Sequence, residues 1–174
     1  SGGPSEHDRA APLDDHALLQ GRSHGARQHD ALHVAAQTDE IEPLLTIHRA
    51  AMEDYITRTW GPWDEAFQRD YFISNWPDVR LAIEVSGELA GFLDLDESPE
   101  RISIENLEIA PAHQGRGIGT AILSAVQQRA AGRNQPVTLQ VLKVNPARRL
   151  YDRLGFRQTG ETPTHFQMAW EPTP

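Results

Sequence analysis

The chain has 174 residues, enough for one domain with an enclosed core. It has no cysteine, which excludes a disulfide framework and a cysteine nucleophile, and its net charge of −9 argues against a nucleic-acid-binding face while mildly favouring a cationic acceptor. No window approaches the roughly 20 apolar residues of a membrane span, and no apolar h-region marks a secretory signal, so the expected location is the cytoplasm.

Residues 1–29 are rich in Gly, Pro, His, Asp and Arg and carry few large apolar side chains. They read as a flexible extension with room for one helical turn near Asp14–Gln20, and the Ser-Gly-Gly start is compatible with a tag remnant. The domain proper is expected over 30–174. His29 and His33 stand four apart, a spacing that grips metals on helices, but Ala31–Ala36 reads as a first strand and no third ligand stands nearby. No metal is expected.

From Thr38 the pattern turns helical. Thr38 or Asp39 is the expected cap, and Leu44, Ile47, His48, Ala51, Met52 and Tyr55 recur at three and four. Trp60-Gly-Pro-Trp63 breaks this helix. Trp63, Phe67 and Tyr71 mark a second one, which Asn75-Trp-Pro-Asp78 ends.

Val79, Leu81, Ile83 and Val85 alternate as a strand, Ser86-Gly87 turns, and Leu89–Leu95 returns as its hairpin partner. Asp94–Arg101 reads as a charged turn and Arg101–Ile109 as the next strand. Here the parity changes: Ile102 and Ile104 share one face, whereas Leu107 and Ile109 have the opposite parity. A continuous apolar face needs one extra residue, a β-bulge near Glu105-Asn106.

After that strand comes Gln114-Gly-Arg-Gly-Ile-Gly-Thr120, and then a helix with Ile118, Ile122, Ala125 and Val126 on its buried stripe, ending near Gly132. Gly115, Gly117 and Gly119 let successive amides converge, and the helix start adds unpaired N–H groups and a positive dipole end. Such a loop is an anion cradle suited to a diphosphate, with Arg116 able to add a charged contact. A Walker loop would end in Gly-Lys-Ser/Thr, but the only lysine is Lys143. A dinucleotide loop would carry its third glycine where Thr120 stands. An ordinary turn that binds nothing is the plain alternative.

Val137, Leu139 and Val141 form another strand. Asn145 then caps and Pro146 opens a helix carrying Ala147, Leu150, Tyr151 and Leu154, which Gly155 terminates. Phe156–Thr162 and Thr164–Trp170 close the chain as paired strands. The expected order is β-α-α-β-β-β-α-β-α-β-β, an α/β (α+β) domain with about seven strands in a mixed sheet and about four flanking helices.

Gln114-Gly-Arg-Gly-Ile-Gly119 closely resembles the acyl-CoA signature of the GNAT superfamily of N-acetyltransferases. Asn145-Pro-Ala-Arg-Arg-Leu-Tyr-Asp-Arg-Leu-Gly-Phe156 is similar to that family's second motif, with Ala147 one place early. The resemblance spans about residues 30–171. Thr59-Trp-Gly-Pro-Trp-Asp-Glu-Ala-Phe-Gln68 looks like a bacterial subgroup of the superfamily. For the fold, the resemblance implies the GNAT-like mixed sheet in the order above.

For chemistry, it implies acetyl-CoA as cofactor. The diphosphate would lie on Gln114, Gly115, Arg116, Gly117, Ile118, Gly119 and Thr120, and the pantetheine arm along the backbone of Leu107 and Ile109. Asn145 would bond the arm, cap its helix, or both. Tyr151 matches the tyrosine that protonates the departing thiolate, the alternative being a core aromatic. Glu105 matches a position from which a base draws the amine proton through water, with Glu108 and Asn106 as alternatives and a surface carboxylate as the plain reading. The amide of Ile109 would hold the thioester oxygen.

An acceptor pocket is expected between the first two helices and the last strands. Its candidates are Trp60, Trp63, Asp64, Gln68 and His165, although the two tryptophans also fit a packed turn and His165 a structural histidine. The expected substrate is a small-molecule or peptide amine, with no nucleic acid or membrane partner, on a monomer or homodimer. A different acyl group or acceptor, or a non-catalytic acyl-CoA-binding module, are the rival readings.

Overall fold

The computed structural model describes residues 32–37 and 40–173. Expectations for residues 1–29, for the His29–His33 pair and for capping side chains at Thr38 or Asp39 fall outside the described residues. Among the described residues, seven strands form one sheet: β1 (Leu32–Gln37), β2 (Val79–Val85), β3 (Glu88–Glu97), β4 (Ile102–Ile109), β5 (Val137–Leu142), β6 (Arg157–Glu161) and β7 (His165–Trp170). Their spatial order is β1-β2-β3-β4-β5-β7-β6. Four helices, α1 (Ile41–Trp60), α2 (Glu65–Ser74), α3 (Ile118–Gly132) and α4 (Arg148–Arg153), complete the order expected from the sequence.

Period-two alternation sorts the side chains onto the two faces. Leu81, Ile83, Leu93, Leu95, Ile102, Ile104, Leu139 and Val141 join Ile118, Ile122, Leu123 and Val126 of α3 and Tyr151 of α4 in the larger core. On the opposite face, Phe92 packs with Leu44, Leu45 and Ile47 of α1 and Phe72 of α2 in a smaller one. Gly61, at φ 107, ends α1, and the Asp64 side chain caps α2 by accepting the amide of Phe67 at 2.9 Å.

Glu40 flanks the start of α1 and makes no side-chain capping bond. Later boundaries differ from expectation: α4 begins at Arg148 rather than Pro146. The charged turn is shorter than Asp94–Arg101, because β3 continues to Glu97. Asp94 reads as a turn residue in sequence, yet it is completely buried because Arg80 of β2 meets both its oxygens at 2.6 Å. A buried carboxylate needs such a partner.

The bulge is present. Asn106 pairs with Asp94 and Ile104 with Leu95, so Glu105 is the extra residue on β4. It keeps Leu107 and Ile109 on the large core, against which both pack, and turns Glu108 to the α1 face. The parallel β4–β5 ladder covers only Ile102–Ile104 against Val137–Leu139. Beyond the bulge the two strands part, and this gap makes room for the site.

Candidate active site

Gly91 allows β3 and β4 to approach closely at the gap, since a Cβ there would collide with the carbonyl oxygen of Glu108. That carbonyl therefore points at β3. In a trans peptide the next N–H points the opposite way, so the amide of Ile109 is aimed at the gap. The Ala110 amide bonds Ala90 O on β3 at 2.7 Å, which turns the Ile109 carbonyl to the gap as well. There it accepts the Gln114 side-chain amide at 2.8 Å. Leu107, two residues back and paired with Leu93, presents its backbone in the same direction by the alternation of an antiparallel ladder.

A cavity of about 350 Å³ occupies this gap. Met52 and Tyr55 line it from α1, Leu107, Glu108 and Ile109 from β4, and Leu150 and Tyr151 from α4. Gly115 and Gly117 adopt positive φ of 72° and 80°, which only glycine takes without strain, and Gly117 is the N-cap of α3. No side chain caps this helix. Its first ladder bond is Ala121 N to Gly117 O, leaving the amides of Ile118, Gly119 and Thr120 ahead of the ladder. A Cβ on Gly115 or Gly117 would meet nothing within 4 Å, so the space over the loop is open. An uncapped helix start beneath open space fits a diphosphate.

Deeper in, His48 Nδ1 lies 3.0 and 2.9 Å from the two oxygens of Glu108, and its Nε2 lies 3.4 Å from Gln68 Oε1. With Glu108 ionised its oxygens only accept, and Nδ1 is then the donor between them. Burial pushes the Glu108 carboxyl up from the ordinary range, against the opposing pull of His48. Burial also works to hold His48 down, but the charge and hydrogen bonds of Glu108 outweigh it and the imidazole ends above its usual value. A buried carboxyl and a partly buried imidazole competing for one proton are a common design for acid–base work. Tyr151 is pushed up to about 12, first by burial and then by the charge of Glu108, so its hydroxyl stays protonated at neutral pH.

Residues 44–156 match the model of the acetyltransferase (GNAT) family. The chain belongs to that family. Streptothricin acetyltransferase of Streptomyces lavendulae is 37% identical over 87 residues, covering 46% of this chain and 44% of that protein, so the chain matches under half of the relative's length. In fold, a Pyrococcus horikoshii protein superposes with TM-score 0.65 at 19% identity, over 84% of this chain and all of the other. The PaiA N-acetyltransferase of Thermoplasma acidophilum, solved in complex with coenzyme A, superposes with TM-score 0.58 at 18% identity, over 82% of this chain and 98% of the other.

Within this GNAT domain, the cavity brings together Leu107, Ile109, Gln114, Gly115, Gly117, Ile118, Gly119, Thr120, Asn145 and Tyr151 from the sequence-derived candidates. Arg116 is exposed on the loop and does not line it. Asn145 Oδ1 accepts the amide of Ala147 at 2.9 Å, an Asx turn just ahead of α4, whose own N-cap is Ala147 with no side-chain cap. Glu105 stands exposed on the bulge, accepts the Ser103 hydroxyl at 2.6 Å and is not part of the cavity wall.

The acceptor candidates divide. Gln68 reaches His48, and the Trp63 ring lies 5.7 Å from the His48 ring. Trp63 Nε1 also donates to Glu65 at 2.8 Å, and Asp64 is taken up in capping α2. Trp60 is exposed and pairs with the His165 ring at 6.0 Å, while burial holds His165 below its usual pKa. Sequence reading put His48 on the α1 stripe without a role. Its signal was a titratable residue at a core position of a helix, which burial tolerates only with a partner.

Proposed function

We propose that the protein is an acetyl-CoA-dependent N-acetyltransferase that moves an acetyl group directly to a primary amine of a small molecule or peptide. One observation supports this reading above the others: a single cavity is lined by Leu107, Glu108 and Ile109 of β4, by the uncapped start of α3 and by Tyr151 of α4. The thioester supplies the activated acyl carbon. The amides of Ile118, Gly119 and Thr120 hold the diphosphate, with Arg116 at its rim, and the Leu107 and Ile109 backbone takes the pantetheine amides as a strand would. Gln114 braces the loop against Ile109, and Asn145 fixes the entrance to α4.

An alkyl ammonium with pKa near 10 must lose a proton before its nitrogen attacks. The His48–Glu108 pair takes that proton, in preference to Glu105, because the pair is buried beside the cavity and Glu105 is not. The amine nitrogen bonds the acyl carbon, the C–S bond breaks, and the electron pair leaves with sulfur. The Ile109 amide faces the carbonyl oxygen on which charge builds. Tyr151 donates a hydrogen bond to the sulfur. Outright transfer from a phenol at about 12 to a thiolate near 8.5 would climb roughly 5 kcal/mol, so the donated bond outweighs a completed transfer.

For the acceptor, Trp63 and Gln68 form the wall next to His48, while Trp60, Asp64 and His165 stand further out. The relative named streptothricin acetyltransferase makes streptothricin the first amine to test. Release of CoA thiol is measured with acetyl-CoA and streptothricin, simple alkylamines and peptides, and the acylated atom is located by mass spectrometry. The reading predicts acceptor-dependent thiol release with the acetyl group on nitrogen. Cofactor binding without turnover across the panel would favour a non-catalytic module, and a product on oxygen or sulfur would favour another acceptor class.

A further inference from the structure

Three strands contribute one polar residue each to a row beneath the candidate site. Arg80 of β2 is the cross-strand partner of Asp94 on β3, and Asp94 is the partner of Asn106 on β4. Arg80 meets both Asp94 oxygens at 2.6 Å, and Asn106 Nδ2 donates to Asp94 Oδ2 at 2.9 Å. The guanidinium lies against Phe72, Trp76 and Phe92, 4.1, 4.2 and 5.1 Å from their ring centroids. The next row on this face is Ala82, Phe92 and Glu108.

Asn106 is the first residue after the bulge. Loss of the extra residue from the ladder would reverse which side chains of the rest of β4 face the core, because the side-chain period of a strand is two. Glu108 would then point into the apolar core under α3, and the backbone of Leu107 and Ile109 would exchange directions. The opposite parity of Leu107 and Ile109, which pack on the large core, already favours the extra residue. Asp94 adds a polar instruction to the same effect. It is an acceptor locked in place by Arg80 and able to pair with Asn106 in one frame only.

Resting on the reading that Glu108 and His48 take the amine proton, we propose that the Arg80–Asp94–Asn106 row sets the frame of β4, making Asn106 a positioning residue for acyl transfer. Its bond to Asp94 holds the extra residue at Glu105 and thereby aims Glu108 at His48. The charged and titratable groups that act on Glu108 are His48 from α1, Tyr151 from α4, and Asp94 and Arg80 from the adjacent row. Asn106 itself carries no charge, so its removal alters geometry first. Asn106 is also exposed, so its replacement leaves no buried group unpaired except one oxygen of Asp94 that Arg80 still holds.

The test compares wild type with Asn106→Ala and Asn106→Ser, the serine retaining a shorter donor. NMR titration of the His48 imidazole, without substrate, reads whether Glu108 still faces it. Thiol-release kinetics read the consequence, with Glu108→Gln as reference. We expect Asn106→Ala to lower kcat about 10- to 100-fold and to move the His48 titration downward toward that of Glu108→Gln, with Asn106→Ser between it and wild type. A His48 titration unchanged in Asn106→Ala overturns the proposal, whatever happens to turnover. Wild-type turnover in Glu108→Gln would instead remove the proton-acceptor reading, and the His48 titration would still decide the positioning role.

Discussion

His48 on α1 and Glu108 on β4 face each other through an imidazole nitrogen and both carboxylate oxygens, at 3.0 and 2.9 Å, 60 residues apart in sequence. The contact ties the first helix to the strand that borders the cavity. It also sets the direction of the pH dependence.

Activity through this pair should rise with pH as its proton is lost. Glu108 holds the His48 pKa above its ordinary value, so Glu108→Gln leaves burial as the main influence and moves the rising limb of kcat/KM to lower pH. The same substitution should cost about 100-fold or more in kcat/KM. A limb at the wild-type pH in Glu108→Gln would place the titrating group elsewhere.

Folding stability carries the same signature. A histidine raised in the folded state contributes stabilisation that is fully present below its unfolded pKa, about 6.5, and is lost as pH rises through the folded value. Denaturant titrations of wild type should therefore show stability declining over that window. In His48→Gln the decline should shrink, as seen in the difference between the two stability–pH curves.

Tyr151→Phe removes one hydroxyl and leaves the ring packed against Phe156. A hydrogen bond to developing charge contributes about 1.5–3 kcal/mol, so kcat should fall roughly 10- to 150-fold. The Kd for coenzyme A should stay within about twofold, as measured by calorimetry. The phenolate absorbance step at about pH 12 should disappear in the same variant.

Gly117→Trp forces a side chain onto a residue at φ +80 that caps α3 and faces open space. The left-handed conformation costs about 1–2 kcal/mol. The larger effect is on ligand: coenzyme A affinity should drop about 100-fold or more as the indole covers the helix amides, while circular dichroism still reports a folded chain. Undiminished affinity would contradict the loop assignment.

Gly91→Ala places a Cβ against the Glu108 carbonyl on the neighbouring strand. The strands must separate at the row that aims Glu108. Loss of about 1–3 kcal/mol is expected in denaturant unfolding, together with reduced turnover.

Much of this was legible in the sequence because it was local. The parity break between Ile104 and Leu107 announced the bulge, Gly115 and Gly117 announced a turn whose geometry glycine takes up readily, and Asn145 announced the polar turn before α4. What stayed hidden depended on pairing between distant residues. Asp94 looked like part of a solvated turn because its partner, Arg80, lies on another strand. His48 read as one more position of the α1 stripe, because Glu108 reaches it only after the bulge has reversed the strand's parity. The same reversal explains why Glu105, the carboxylate at the motif position, stands in solvent while Glu108 enters the cavity wall. The aromatic segment Trp60–Trp63 gave a composition but no direction, and only the fold separates Trp63, beside His48, from Trp60, beside His165.

The most direct measurement is a crystal structure of the complex with coenzyme A. The diphosphate is expected on the amides of Ile118, Gly119 and Thr120, the pantetheine amides paired with the Leu107 and Ile109 backbone, and the sulfur within hydrogen-bond reach of Tyr151. A diphosphate bound away from the start of α3, or an arm that leaves the β4 edge unpaired, would contradict that placement.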